Sequence, residues 1–376
     1  MLGHSEFYCS TECFSGKIRR MEFARTIFLT GFPGFIAERL IARLAADDRQ
    51  LLLLVQPAFI EKAIESVEKI AAKTNVPLEN FGLIEGDITH PDLGMSHDDA
   101  AIVRETTTDV FHLAAIYDLA VGKDAADAVN VEGTRNVNEL VATMPNLQRY
   151  SYISTCYVAG LRKGTIREDE LEHNAGFRNY YEESKYHAEL EVEKLKATLP
   201  VTIFRPSVVV GDSQTGETAK YDGIYYLIQY LRRAPALLRL VNVGNNQVRL
   251  NLVPVDFVVD AIAALAFDTD SLGKTIALAD PRPLTTAELF DVIAQELSGK
   301  RSMITPPLAW VERALLLPVS PPITGLPFPA VPYFFISQTY DTSVGERLLA
   351  KHEISCPGFR DYAGDLIKFV AKHPQL

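Results

Sequence analysis

Tyr181 and Lys185 stand four residues apart in the stretch Asn179-Tyr180-Tyr181-Glu182-Glu183-Ser184-Lys185, a spacing that puts a phenol and an ammonium on one face of a helix. A tyrosine in water has a pKa of about 10, too high for efficient proton exchange near neutrality, and a neighbouring cation is expected to lower it. The pair can then protonate a carbonyl oxygen while hydride reaches its carbon, or run the reverse reaction. Upstream, Thr155 follows the apolar run that ends at Ser154, so its hydroxyl is expected to donate a hydrogen bond to the same oxygen. A surface helix that carries Tyr and Lys by chance is the competing explanation, and the order of the other motifs argues against it.

Those motifs must bring a hydride carrier to the tyrosine. Thr30-Gly31-Phe32-Pro33-Gly34-Phe35-Ile36-Ala37 follows one apolar run and opens an amphipathic stretch. Its glycines permit a tight turn, and the backbone N–H groups at the helix start suit a pyrophosphate. Gly86-Asp87-Ile88 closes the third apolar run, where Asp87 is expected to accept the adenine amino group and Ile88 to pack on the ring; a turn-capping Asp reads equally well. His112-Leu113-Ala114-Ala115 ends the fourth run with small residues suited to passing beneath a cofactor. His112 lies before the strand end and is read as structural.

The elements that position these groups follow from periodicity. Short apolar runs at Thr26–Thr30, Leu51–Val55, Phe81–Ile84, Asp109–Leu113, Arg149–Ser154 and Val201–Phe204 alternate with amphipathic stretches, the pattern of βα units feeding a parallel sheet. The fold expected is α/β, a Rossmann-type doubly wound parallel sheet with a smaller C-terminal substrate-binding domain, and ligands at the carboxyl ends of the strands. The divisions expected are a disordered leader over 1–20, a dinucleotide-binding domain over 21–206 with a return segment near 251–281, and a substrate-binding region over 207–250 and 282–376. Helices are expected at Tyr226–Arg233, Phe257–Phe267, Thr286–Leu297 and Leu308–Leu316.

With 376 residues, 47% hydrophobic and 23% charged, the chain has the balance of a soluble globular protein of about two domains. Its 37 Lys and Arg against 48 Asp and Glu give a formal charge of −11, which disfavours nucleic acid as the principal partner. Four cysteines, at 9, 13, 156 and 356, make neither a disulfide framework nor a repeated metal-ligand pattern, so a cytoplasmic location and no metal are expected. The stretch from Ala314 to Tyr340 has no formal charge but holds six prolines and cannot be one helix. It is expected either to line an apolar substrate entrance or, with 308–336 as a unit, to rest on a lipid surface through Trp310.

The chain resembles the extended short-chain dehydrogenase/reductases over roughly Ile27 to Leu265. The resemblance rests on TGFPGFIA at 30–37, GDI at 86–88, HLAA at 112–115, NVEGTRNV at 130–137, ISTCYVAG at 153–160, NYYEESK at 179–185 and FRPSVVVGD at 204–212. It implies a nicotinamide cofactor held by Gly31, Phe32, Pro33, Gly34, Phe35, Ile36, Gln56, Asp87, Ile88, Ala114, Ala115, Tyr181, Lys185, Pro206, Ser207 and Val208. It also implies Thr155, Tyr181 and Lys185 as the active triad, Asn130 as an internal tie between strands, and association as homodimers. Within the family the chain looks most like the fatty acyl-CoA reductase, male-sterility-like branch, through GDITHPDLGMS at 86–96, STCYVAG at 154–160 and RPSVVVGDSQTGET at 205–218. That branch reduces a CoA-bound or carrier-bound acyl thioester, usually with NADPH.

Two departures matter. Ala37 replaces the third glycine of the turn, and Gln56 occupies the position where a carboxylate selects NAD and an arginine selects NADP. Without the carboxylate a 2′-phosphate meets no repulsion, so NADP is expected ahead of NAD; Lys62, the nearest downstream cation, is placed on a solvated helix face. For substrate contact the candidates are Tyr157, Asp212, Tyr221 and Arg249, the last to hold a phosphate, grip a CoA phosphate or pair with an acid at the domain junction. The expected function is reduction of an acyl thioester or similar apolar carbonyl. The alternatives are an epimerase, dehydratase or hydroxysteroid-type dehydrogenase with the same triad, and a non-catalytic cofactor sensor.

Overall fold

The computed structural model describes residues 23–233, 238–318, 320 and 326–375. The expected leader over 1–20, Cys9, Cys13, Pro321 and Pro322 lie outside them. Seven parallel strands form the central sheet: β1 (Arg25–Thr30), β2 (Arg49–Val55), β3 (Phe81–Glu85), β4 (Asp109–His112), β5 (Arg149–Ile153), β6 (Val201–Pro206) and β7 (Thr275–Leu278). In these labels the spatial order is 3-2-1-4-5-6-7. It reverses between β1 and β4, so a ligand crevice opens at their carboxyl ends.

Burial on both faces explains the near-continuous apolar composition of the strands. One core cluster joins Ile27, Leu29 and Leu53 to helix α1 (Phe35–Leu44), and the other joins Phe28, Val110 and Tyr150 to helix α4 (Gly133–Ala142). Between them in the chain come α2 (Ile60–Thr74) and α3 (His97–Thr106). Helix α1 buries Ala37, Leu40, Ile41 and Leu44, one stripe at 3.6-residue spacing. Helix α5 (Tyr180–Glu193) is different, because the buried stripe Tyr181, Ser184, Lys185, Ala188, Glu189 and Val192 is half polar. Each polar member must therefore find a partner inside the protein.

Beyond β6 the chain forms α6 (Ile224–Arg233), α7 (Val255–Leu265), α8 (Thr286–Ser298), α9 (Leu308–Leu315), α10 (Ser343–Leu349) and α11 (Phe359–Lys372). Helix α7 packs against α1, and β7 then adds to the sheet beside β6. Helices α6, α8 and α11 enclose a separate core of Tyr225, Ile228, Phe290, Tyr362 and Leu366. The uncharged stretch divides. Ala330, Val331 and Tyr333 are buried, whereas Trp310, Leu316 and Leu317 on and after α9 are exposed. No helix among the described residues is long and apolar enough to cross a membrane.

Candidate active site

The turn after β1 is built by exclusion. A Cβ on Gly31, whose φ is +93°, would stand 2.7 Å from the Ala114 nitrogen, and one on Gly34 would stand 2.7 Å from the Gly31 oxygen. The chain ends of β1 and β4 therefore touch beneath the crevice. Thr30 Oγ1 accepts from the Ala114 N–H at 3.2 Å and lies 2.7 Å from His112 Nδ1, while His112 Nε2 lies 3.1 Å from Thr134 Oγ1. Burial drives the His112 imidazole down to about 3, so it stays neutral and structural, as its position in the strand predicts. Gly34 caps α1 without any side-chain bond, which leaves the first-turn N–H groups aimed at the crevice. This cradle fits a dinucleotide pyrophosphate. Phe32 is buried in the core, so it and Pro33 contribute backbone only, with Phe35 and Ile36 opening the helix.

The adenine side corrects one expectation. Ile88 does not offer an open face, because Gly133 of α4 presses on it so closely that a Cβ there would come within 2.6 Å of Ile88 Cδ1. Its side chain belongs to the second core. Asp87 remains at the rim, half-buried; it accepts from Gln56 Nε2 at 2.8 Å and from the Thr89 N–H and hydroxyl, each at 2.8 Å. Burial pushes its carboxyl up, but these bonds outweigh burial and hold it below the usual range. Lys62 is exposed on its helix face, as expected, and its Nζ also donates to the Pro33 oxygen at 3.1 Å, because the first turn of α2 runs alongside the glycine turn.

The residues expected to transfer a proton come together near the end of β5 and the start of α5. Asn179 caps α5, accepting from the Glu182 N–H at 3.0 Å, and so fixes where Tyr181 emerges. Lys185 Nζ donates to the Tyr152 hydroxyl and to the Ile153 oxygen, both at 2.9 Å. Burial pulls its ammonium down to about 8, against the opposing pull of Glu189. Burial also raises the Tyr181 phenol well above its ordinary value, with an interaction from Thr155 working against it. The expected lowering by Lys185 is thus not what dominates, since the ammonium is turned to Tyr152 and desolvation outweighs it. A phenol held protonated is the form that donates. Asn130, in a π-turn over Asp127–Glu132, accepts from the Ile116 N–H at 2.9 Å and donates to Ser184 Oγ at 2.9 Å. It ties the segment after β4 to α5, and not strand to strand.

Sequence reasoning missed three contributors. Tyr152, the partner of Lys185, could have been found from strand alternation along β5. Tyr117 meets Tyr181 edge-on at 5.2 Å between centroids, and no pattern announces it. Tyr333 donates to the buried Glu182 at 2.7 Å and accepts from Asn179 Nδ2 at 2.7 Å, which clasps the proline-rich segment to α5.

A cavity of about 190 Å³ adjoins this point, lined by Tyr117, Tyr157, Val208, Asp222, Tyr226 and Phe334 among others. Pro206 ends β6, and the Ser207 hydroxyl is committed to Asn251 at 2.7 Å. Arg249 lines a smaller neighbouring cavity with Tyr157 and donates to the Pro283 oxygen at 2.5 Å. Among the described residues no carboxylate lies within ion-pair distance of it, although its charge contributes to holding the Glu288 carboxyl low. Two substrate candidates fall elsewhere. The Asp212 carboxylate holds its own turn, accepting from the Gln214 and Thr215 N–H groups at 3.0 and 2.9 Å. The Tyr221 hydroxyl donates to the His373 oxygen at the end of α11.

Comparison with known proteins agrees with this geometry. The NAD-binding family model described as Male sterility protein matches residues 29–262. The fatty acyl-CoA reductase wat of Drosophila melanogaster is 26% identical over 278 residues, covering 64% of this chain and 54% of that protein. The non-canonical nonribosomal peptide synthetase cpsA of Aspergillus campestris is 28% identical over 272 residues, covering 67% of this chain and 25% of that protein. The chain thus spans about half the length of the first and a quarter of the second. Among solved structures, the terminal R domain from the myxalamid PKS-NRPS biosynthetic pathway superposes with a TM-score of 0.78 at 24% identity and 97% coverage of both chains, a likeness of fold. With a nucleotide cradle at the sheet's switch point and a Tyr/Lys pair beside it, the chain belongs to the Male sterility protein family, in the thioester-reductase branch of the extended short-chain dehydrogenase/reductases.

Proposed function

We propose that this oxidoreductase reduces acyl thioesters, carried on CoA or on a carrier protein, with NADPH preferred over NADH. Supporting this is the interaction of Thr155 with Tyr181, one helical turn from Lys185, and, across the Tyr117 ring that meets Tyr181, a cavity whose walls are mainly apolar. When bound, a reduced nicotinamide supplies hydride to the acyl carbon. Tyr181 then gives its proton to the acyl oxygen, and Thr155 donates a hydrogen bond there as negative charge develops. The Lys185 ammonium, protonated below about pH 8, stabilises the phenolate that remains. Collapse of the resulting hemithioacetal expels the thiol and leaves an aldehyde. Positive charge from Lys62 at the glycine turn, with neutral Gln56 at the end of β2, suits a 2′-phosphate.

Incubation with acyl-CoA and NADPH, followed through the absorbance of the reduced nicotinamide, should show oxidation matched by free thiol and aldehyde. Activity on a sterol or a nucleotide sugar, with none on any thioester, would overturn the assignment.

A further inference from the structure

The cavity next to Tyr117, whose ring meets Tyr181, has Tyr226 and Phe334 among its walls, and the same two rings wall a second chamber of about 100 Å³. That chamber lies between α6, α8 and α9 and is lined by Leu227, Tyr230, Leu289, Phe290 and Leu315. Thr286, the one threonine among its described lining residues, is already satisfied, since Oγ1 accepts from the Asn245 N–H at 2.9 Å and donates to the Asn245 oxygen at 3.2 Å. Among the described residues no charged group lines the second chamber, whereas the first carries Lys220 and Asp222 near Tyr117. A water needs two to four polar partners to be held in a cavity, and these walls offer few.

We propose that the chamber beyond Tyr226 and Phe334 receives the apolar tail of the acyl group, so that the enzyme selects medium-length and longer chains. The thiol carrier then lies on the Lys220–Asp222 side, and the thioester carbonyl sits between the two at Tyr181. Transfer of one methylene from water to an apolar site contributes about 0.8 kcal/mol, which is about a fourfold gain in affinity for each carbon that enters. Leu227 and Leu315 approach from different helices and are the residues whose enlargement fills the space.

The activity arm of the test rests on the thioester-reductase reading; the binding arm does not. Butanoyl-, octanoyl- and dodecanoyl-CoA are compared at fixed NADPH, and displacement of cis-parinaric acid by dodecanoate is followed in the protein alone. We expect kcat/KM to rise at least tenfold from butanoyl to dodecanoyl. In Leu227→Trp and, separately, Leu315→Trp, each checked by its melting temperature, that ratio should collapse and parinaric acid binding should weaken at least tenfold. Equal turnover of the short and long thioesters, or folded variants that keep both the ratio and the probe affinity, overturns the proposal. Should no thioester of any length be reduced, the function proposed above fails. Probe binding lost in both variants would still uphold the chamber, and a wild-type protein that binds no probe would sink it.

Discussion

The nucleotide crevice and the proposed tail chamber are built by opposite means. Around Gly31 and Gly34 the fit is set by backbone: carbonyl oxygens and amide nitrogens stand where a single added carbon has no room. In the chamber the walls are side chains from three helices and the 328–335 segment, each replaceable by a neighbour of similar volume. Changes in the crevice are therefore expected to act as all or nothing, and changes in the chamber to be graded.

The largest expected effect is on the chemistry itself. Tyr181→Phe removes the proposed proton donor while leaving the cradle intact, and should lower kcat by about 10²- to 10⁴-fold with cofactor affinity nearly unchanged, as measured by steady-state rates and nicotinamide fluorescence titration. Undiminished turnover would leave the phenol without a role. In the backbone-defined crevice, Gly31→Ala combines a positive φ with a 2.7 Å clash and should cost about 1–3 kcal/mol of stability. A calorimetric titration should then find NADPH binding weakened more than tenfold; retained binding would show that the cradle tolerates side chains as the chamber does.

A pH profile sharpens the contrast differently. His112 is neutral above about pH 3 and Tyr181 stays protonated far into the alkaline range, so neither contributes a limb near neutrality. Lys185, folded value about 8, carries its charge below that pH and loses it above. The rate of reduction should be flat from pH 6 to 7.5 and fall by up to about tenfold per unit beyond about 8. A rise across that range would contradict the assigned roles. The smallest effect concerns Lys62→Ala, which should weaken NADPH about three- to tenfold and NADH hardly at all, in line with one exposed charge–phosphate contact. Equal losses for both nucleotides would remove Lys62 from cofactor choice.

Much of the sheet half was legible because its signals are local. Six apolar runs matched β1 to β6 within two residues at either end, and the glycine turn, the threonine after β5 and the Tyr/Lys pair lie within a few residues of a strand or helix end. What escaped depends on contacts across the chain. Ile88 was misread because only the approach of Gly133 shows which way its side chain turns. Asp212 and Tyr221 occupy plausible positions in sequence, yet one is consumed by its own turn and the other by the end of α11, 152 residues away. Spacing of four located Lys185 beside Tyr181 but could not disclose that Tyr152 and Ile153 receive its hydrogen bonds.

The clasp between Tyr333 and Glu182 bears on how such proteins can be recombined. Glu182 is fully buried, and among the described residues its carboxylate accepts, besides the Tyr333 hydroxyl, from the Arg178 guanidinium and backbone N–H. A chimera that borrowed the 328–335 segment from a relative lacking the tyrosine would leave this buried carboxylate, one residue from Tyr181, with its Arg178 ion pair but one hydrogen bond short. Exchange of substrate preference by grafting therefore has to move Tyr333 and Glu182 as a single cassette.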